Sequence, residues 1–352
     1  MTVVATGAGT GAEPAARPRQ AGRRVCVLLG LAALLVLAAL LSLRVGSLTV
    51  SWHDALAALF DYRGPAAAPT GQTVVHSLRL PRTVVGVAVG IALGMTGALM
   101  QGLTRNPLAD PGLLGINSGA GFAISAAITA GAGSVGTYLW FSFLGAAVAG
   151  VLVYVLGSVG GGATPVKLAL AGAIIAAFVG ALTSTLNVVN PNAADVARFW
   201  LAGSVAGVAF PTLLTVTPFL LLGLLVALGC GRALNGLALG DDVARALGQR
   251  VVLSRVAVAL AVVLLAASAV ALAGPIAFIG LMVPHVSRFL VGPDYRWILP
   301  AAALLGPSVL LLADVAGRIV AMPGEIQVGI MTAVLGAPVF IYLARRRALD
   351  GL

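Results

Sequence analysis

Long apolar intervals separated by isolated arginines and carboxylates pattern this chain. From Pro111 through Val166 no Asp, Glu, Lys or Arg occurs. An ionised side chain at the centre of a bilayer costs about 2.5–3.5 kcal/mol on insertion scales, so the gaps between charges trace the stretches that lipid can surround. A helix needs about 20 apolar residues to cross. The charge-free intervals are 25–43, 83–104, 111–166, 168–194, 199–231, 256–287, 297–313 and 326–344. Two of them hold two elements each. A glycine-rich turn at residues 131–136 divides the longest, and Gly274-Pro275 breaks 256–287. The second piece of 256–287 then either runs past Arg288 or is a half-helix. The pattern predicts an all-α polytopic membrane protein with ten transmembrane helices.

The arginines orient this weave. With the N-terminus in the cytoplasm, the outer segments hold Arg44, Arg63, Arg79, Arg82, Arg198 and Arg318. The remaining fifteen of the 21 basic residues fall inside. Such a bias is expected of cytoplasmic loops, and it places both termini there. Residues 1–24, rich in Gly, Ala, Pro and Arg, read as a disordered cytoplasmic tail. Residues 25–348 form the ten-span domain, and 232–255 is its longest charged cytoplasmic segment.

Composition narrows the function. Hydrophobic residues make up 60% and charged residues 9%, with a mean hydropathy of +1.06. The net charge of +10 belongs to membrane orientation, because no basic cluster sits on a soluble segment large enough to fold. Nucleic acid is therefore not an expected partner. Two distant cysteines and three histidines without ligand spacing give no metal centre. No Gly-x-x-x-x-Gly-Lys-Ser/Thr loop is present, so any nucleotide must be used by another subunit. No carboxylate lies mid-span to relay ions, which speaks against an ion-coupled carrier. Gly306-Pro307-Ser308 and His285 are the only candidates for an intramembrane serine protease. Gly86, Gly90 and Gly94, four apart, allow close approach of helices, most simply within one subunit.

Five segments carry chemistry. In Arg79-Leu80-Pro81-Arg82 two planar guanidinium groups at the outer end of the second span suit carboxylates of an external partner. In Asn106–Gly112, Asp110 before Pro111 reads as a helix cap at a tight inner turn. Leu239–Gly248 carries helix start and stop signals, Asp241 as cap and Gly248 as terminator. Its Val243, Ala246 and Leu247 share a face that fits a cytosolic partner. Gly274–His285 predicts a broken helix, tolerated at membrane depth only when covered. Asp314 and Arg318 are spaced for an intrahelical pair, with Glu325 close by.

Four blocks in order, RLPRTVVGVAVGIALGMTGALMQGLTRNPLADPGLLGINSGAGF at 79–122, LGDDVARALG at 239–248, GPIAFIGLMVPHVSR at 274–288 and GEIQVGIMTAVLGAPVFIYL at 324–343, resemble the permease subunits of ABC importers for iron-siderophores, haem and vitamin B12. The resemblance implies two permease subunits around a central pathway, identical or paralogous, in the bacterial cytoplasmic membrane. It also implies two cytosolic ATPases using ATP and magnesium, and an extracytoplasmic binding protein that delivers the cargo. By position, Arg79, Arg82 and Arg318 correspond to arginines that receive the binding protein's glutamates. Leu239, Gly240, Asp241, Asp242, Val243, Ala244, Leu247 and Gly248 correspond to the helix that engages the ATPase. Thr164, Pro165 and Val166 fall at the cytoplasmic gate. No cofactor is implied for the chain itself.

Overall fold

The computed structural model describes residues 17–132, 135–160 and 164–350. All its regular elements are helical. In chain order they are α1 (Arg17–Arg44), α2 (Trp52–Phe60), α3 (Thr70–Val74), α4 (Leu80–Thr104), α5 (Ile116–Thr129), α6 (Val135–Ser158), α7 (Pro165–Val189) and α8 (Pro191–Leu201). There follow α9 (Phe210–Gly229), α10 (Gly231–Ala238), α11 (Asp241–Ala246), α12 (Val251–Ala273), α13 (Ile279–Val291), α14 (Tyr295–Val320) and α15 (Val328–Asp350). A π-helical turn, Val75–Arg79, joins α3 to α4, and a 3₁₀ turn, Pro111–Leu114, precedes α5.

Among the described residues, seven helices are long and apolar enough to cross a membrane, and three shorter apolar helices accompany them, Ile116–Thr129, Ile279–Val291 and Val328–Val339. Their boundaries follow the charge gaps. α12 stops at Gly274, whose φ of 68° and following proline end a helix. α13 restarts after Phe278 and does run past Arg288, to Val291, yet it is only 13 residues long. Thr164 caps α7, its hydroxyl accepting from Lys167 N. The lone lysine closes that hairpin from the other side, Nζ donating to Val159 O and Gly160 O beyond the end of α6. Asn190 ends α7 and caps α8, accepting from Asn192 N and Ala193 N.

Two readings need correction. The chain is already helical at Arg17, inside the stretch expected to be a tail, because α1 extends past its apolar part into the Arg23-Arg24 region; residues 1–16 lie outside the described residues. The short helices α2, α3 and α8 were not foreseen, since charged or polar residues interrupt the apolar pattern there.

The centre of the molecule is α4, α12 and α14, each mostly buried. α4 meets α14 through its glycines. A Cβ on Gly90 would fall on the backbone of Pro307, one on Gly94 2.6 Å from Ala302 O, and one on Gly86 2.7 Å from Leu311. The glycine spacing is thus an intrasubunit seam. It also disposes of the protease candidate, since Gly306 and Pro307 are pressed on α4, and fully buried Ser308 donates its hydroxyl to Leu304 O. By contrast α7 is peripheral, with 11% of its apolar stretch buried, and presents Ile174, Phe178 and Val188 outward.

Candidate functional site

Two polar clusters stand at opposite ends of the bundle. At one end all three predicted arginines converge, but none is open surface: Arg79, Arg82 and Arg318 are all buried. Arg79 donates from Nη1 to Leu43 O at 3.1 Å and to Arg44 O, and from Nη2 to Leu48 O. Arg318 donates from Nη1 to Ser42 O at 2.9 Å and Val45 O at 2.6 Å. Both cap the C-terminal end of α1, whose last carbonyls lack helical donors and carry partial negative charge. Arg82 grips Asp314 with two prongs, Nη2 to Oδ1 at 2.7 Å and Nε to Oδ2 at 3.0 Å, a geometry particular to arginine. Its third nitrogen, Nη1, lies 2.6 Å from Glu325 Oε2. The expected Asp314–Arg318 pair forms at 2.9 Å. Glu325 is the solvent-facing member, its side chain 47% exposed against 1% for Asp314. The sequence reading foresaw the Asp314–Arg318 pair but gave Arg79 and Arg82 no partner within the chain. Their first partners are this chain's own carbonyls and carboxylates.

At the opposite end, α11 lies between α10 and α12. Gly240 (φ 109°) occupies the cap position without a side-chain bond, so Asp241 is not the cap but the first helical residue. Its carboxylate is instead held by Arg105 and by Arg255, at 2.8 Å for the latter. Gly248 terminates the helix as expected, with φ 79° and its N–H on Arg245 O at 2.9 Å. Ala244 points inward and packs with Leu237 and Val251. Leu239, Val243, Ala246 and Leu247 face away from the protein, Val243 at 47% and Leu247 at 69% exposure. Asp242 is exposed and pairs with Arg245. This short helix is anchored by its charged side and offers an apolar one. Nearby, Asp294 caps α14, and its bonds from Arg296, then Asn235, hold its carboxyl below the ordinary value, at about 2.

The third predicted site, residues 164–166, is the start of α7, with Val166 77% exposed; residues 161–163 lie outside the described residues. Sequence reasoning missed Arg105 and Arg255. Arg105 counted only as an inner positive charge, and its contact with Asp241 spans 136 positions, a distance that no local pattern reveals.

The description of the FecCD transport family matches residues 34–346. The chain belongs to that family. It is 47% identical over 324 residues to the ferric enterobactin transport system permease protein FepD of Escherichia coli (strain K12), covering 92% of this chain and 96% of that one. It is 44% identical over 332 residues to the probable siderophore transport system permease protein YfiZ of Bacillus subtilis (strain 168), covering 94% and 98%. Among solved structures, an inward-facing conformation described as a metal-chelate type ABC transporter superposes with a TM-score of 0.79 at 31% identity, covering 92% of this chain and 99% of that one. This FecCD member is thus a permease of the siderophore and vitamin B12 type of ABC importer, a membrane transport subunit.

Proposed function

We propose that this FecCD permease moves an iron(III)-siderophore across the bacterial cytoplasmic membrane by alternating access. In this reading ten helices span the bilayer with both termini inside. A second permease subunit, identical or paralogous, completes the pathway. Two cytosolic ATPases bind ATP and magnesium, and an extracytoplasmic binding protein delivers the cargo; the chain itself binds no cofactor. The observation that carries the reading is α11. Fastened through Asp241 and Ala244, it projects Val243 and Leu247 toward whatever lies beneath. The permease makes and breaks no covalent bond. It offers two packings, and a partner that binds them unequally shifts their balance.

Leu239, Gly240, Asp241, Asp242, Val243, Ala244, Leu247 and Gly248 are proposed as the ATPase-coupling segment, and Thr164, Pro165 and Val166 as part of the inner gate. Docking is proposed at the outer cluster. There Arg82, paired with exposed Glu325, is the least buried of the three arginines, and Arg79 and Arg318 supply positive potential from beneath. The siderophore assignment draws on the names of the relatives; haem or cobalamin is the alternative cargo.

The deciding experiment is ATP-dependent uptake into proteoliposomes holding the full importer, with ferric tricatecholate, ferric trihydroxamate, haem and cobalamin offered in turn. A ferric chelate is expected to accumulate. Accumulation of haem or cobalamin alone would replace the cargo and keep the mechanism. Uptake that ignores ATP and collapses with an uncoupler would replace the mechanism with ion coupling.

A further inference from the structure

Arg105 ends α4 with a left-handed backbone, φ 51°, uncommon for a residue with a side chain. Its guanidinium leaves the helix and crosses to the coupling segment. Nε donates to Leu237 O at 2.7 Å, near the C-terminal end of α10. Nη2 pairs with Asp241 Oδ1 at the first position of α11. The signs are favourable at both helix ends, a cation at a C-terminus and a carboxylate at an N-terminus. Arg255 of α12 holds the same carboxylate, its Nη2 donating to Oδ1 at 3.0 Å and lying 2.8 Å from Oδ2. One residue therefore ties α11 to α4, and a different one ties it to α12.

What Arg105 fastens continues inward. Residues 106–110 form a hydrogen-bonded turn: Asn106 Oδ1 accepts from Leu108 N at 2.9 Å, and Asn106 O accepts from Ala109 N at 3.1 Å. Asp110 Oδ1 then accepts from Gly112 N at 2.8 Å and opens the 3₁₀ turn. On one side of that turn, Leu113 O occupies the space a Cβ on Gly172 of α7 would need. On the other, Pro111 and Asp110 lie against Gly280 in the first turn of α13, 3.0 and 3.1 Å from where its Cβ would stand. Gly172 is about two turns from the start of α7, where residues 164–166 lie. Packed or hydrogen-bonded contacts thus run without interruption from α11 to the inner end of α7.

We propose that Arg105 is a strut that carries movement of α11 into the α4–α5 turn and, through Leu113 and Gly172, into the inner end of α7. The proposal rests on the coupling role assigned above to α11. Arg105 is a positioning residue: its side chain is 39% exposed, and the role assigned to it runs through Asp241 and Leu237. An ordinary exposed ion pair would transmit little, since such pairs are weak and mobile. Here one planar group bonds two helix ends at once, and its carboxylate partner is held a second time from α12.

The test uses the full importer in proteoliposomes with Cys26 and Cys230 replaced by serine and a nitroxide on Leu170→Cys, an exposed position of α7. Spin-label mobility is read with and without ATP. In the parent protein ATP is expected to change it. Arg105→Ala is expected to keep ATPase association and hydrolysis while cutting the ATP-dependent change about tenfold, within the usual range of coupling between sites. Asp241→Asn is expected to cut the ATP-dependent change by a similar factor, and the double substitution to add nothing further to that loss, as members of one unit do. Arg105→Gln takes the place of Arg105→Ala if the latter does not insert. An Arg105 variant whose label responds as the parent does, or losses that add in the double variant, would overturn the strut. A parent protein that binds its ATPase but shows no response at residue 170 would instead sink the coupling reading, and the strut with it.

Discussion

Asp314 sits between two guanidinium groups, Arg82 and Arg318, in a buried setting. Its removal would leave both cations without their shared counter-charge. Breaking a buried pair by deleting one partner typically costs about 3–5 kcal/mol. Asp314→Ala is therefore expected to lose most of the folded permease, measured as the fraction recovered monodisperse from membranes. Glu325→Gln at the exposed edge of the same cluster should be tolerated. Asp294 gives a pH-dependent counterpart. Its carboxyl is held at about 2 in the folded chain against an ordinary 3.8, through Arg296 first and Asn235 after it. A depressed carboxyl contributes stability that is fully present above the unfolded value and fades as pH falls toward the folded one. Asn also caps helices well, so Asp294→Asn removes the charge and keeps the cap. In detergent the variant should melt below the parent at pH 7, and the gap should close between about pH 4 and pH 2.

Elements are fixed by where side chains are missing as much as by where they are present. The α4–α14 seam depends on Gly90, since a Cβ there would collide with the backbone of Pro307. Backbone cannot rotate aside as a side chain can. Gly90→Ala is expected to destabilise the permease by about 1–3 kcal/mol, the usual cost of overpacking, seen as a lower melting temperature. Gly30→Ala on α1, with nothing within 4 Å of its Cβ, serves as the matched control and should be neutral or slightly stabilising. The break between α12 and α13 was legible because Gly274-Pro275 ends a helix by backbone geometry alone. α8 was not legible, since Asp195 and Arg198 interrupt the apolar pattern, and the helix is set by the Asn190 cap and by packing of Ala193 and Ala197.

For the whole molecule, the prediction concerns which side each end faces. Arg63 and Asp242 are both well exposed, on opposite ends of the bundle by the charge pattern. In cells with cysteine-free background, a membrane-impermeant maleimide should label Arg63→Cys without lysis and Asp242→Cys only after it. The reverse would invert the molecule and exchange the proposed docking and coupling ends. The exposed apolar side of α7 is expected to face the second permease or lipid, since a long apolar face is stable only against one of them.

The sequence alone determined the helical class, the long apolar helices and the break at Gly274-Pro275, because excluding charge from lipid and stopping a helix at glycine and proline are local rules. Only the tertiary structure decided what the charges at the two ends of the bundle do. Arg79 and Arg318 cap α1, Arg82 is divided between Asp314 and Glu325, and Asp241 is held by Arg105 and Arg255. Each of these pairings joins segments far apart in the chain. Its partner is set by how helices pack, which the periodicity of a single helix does not encode.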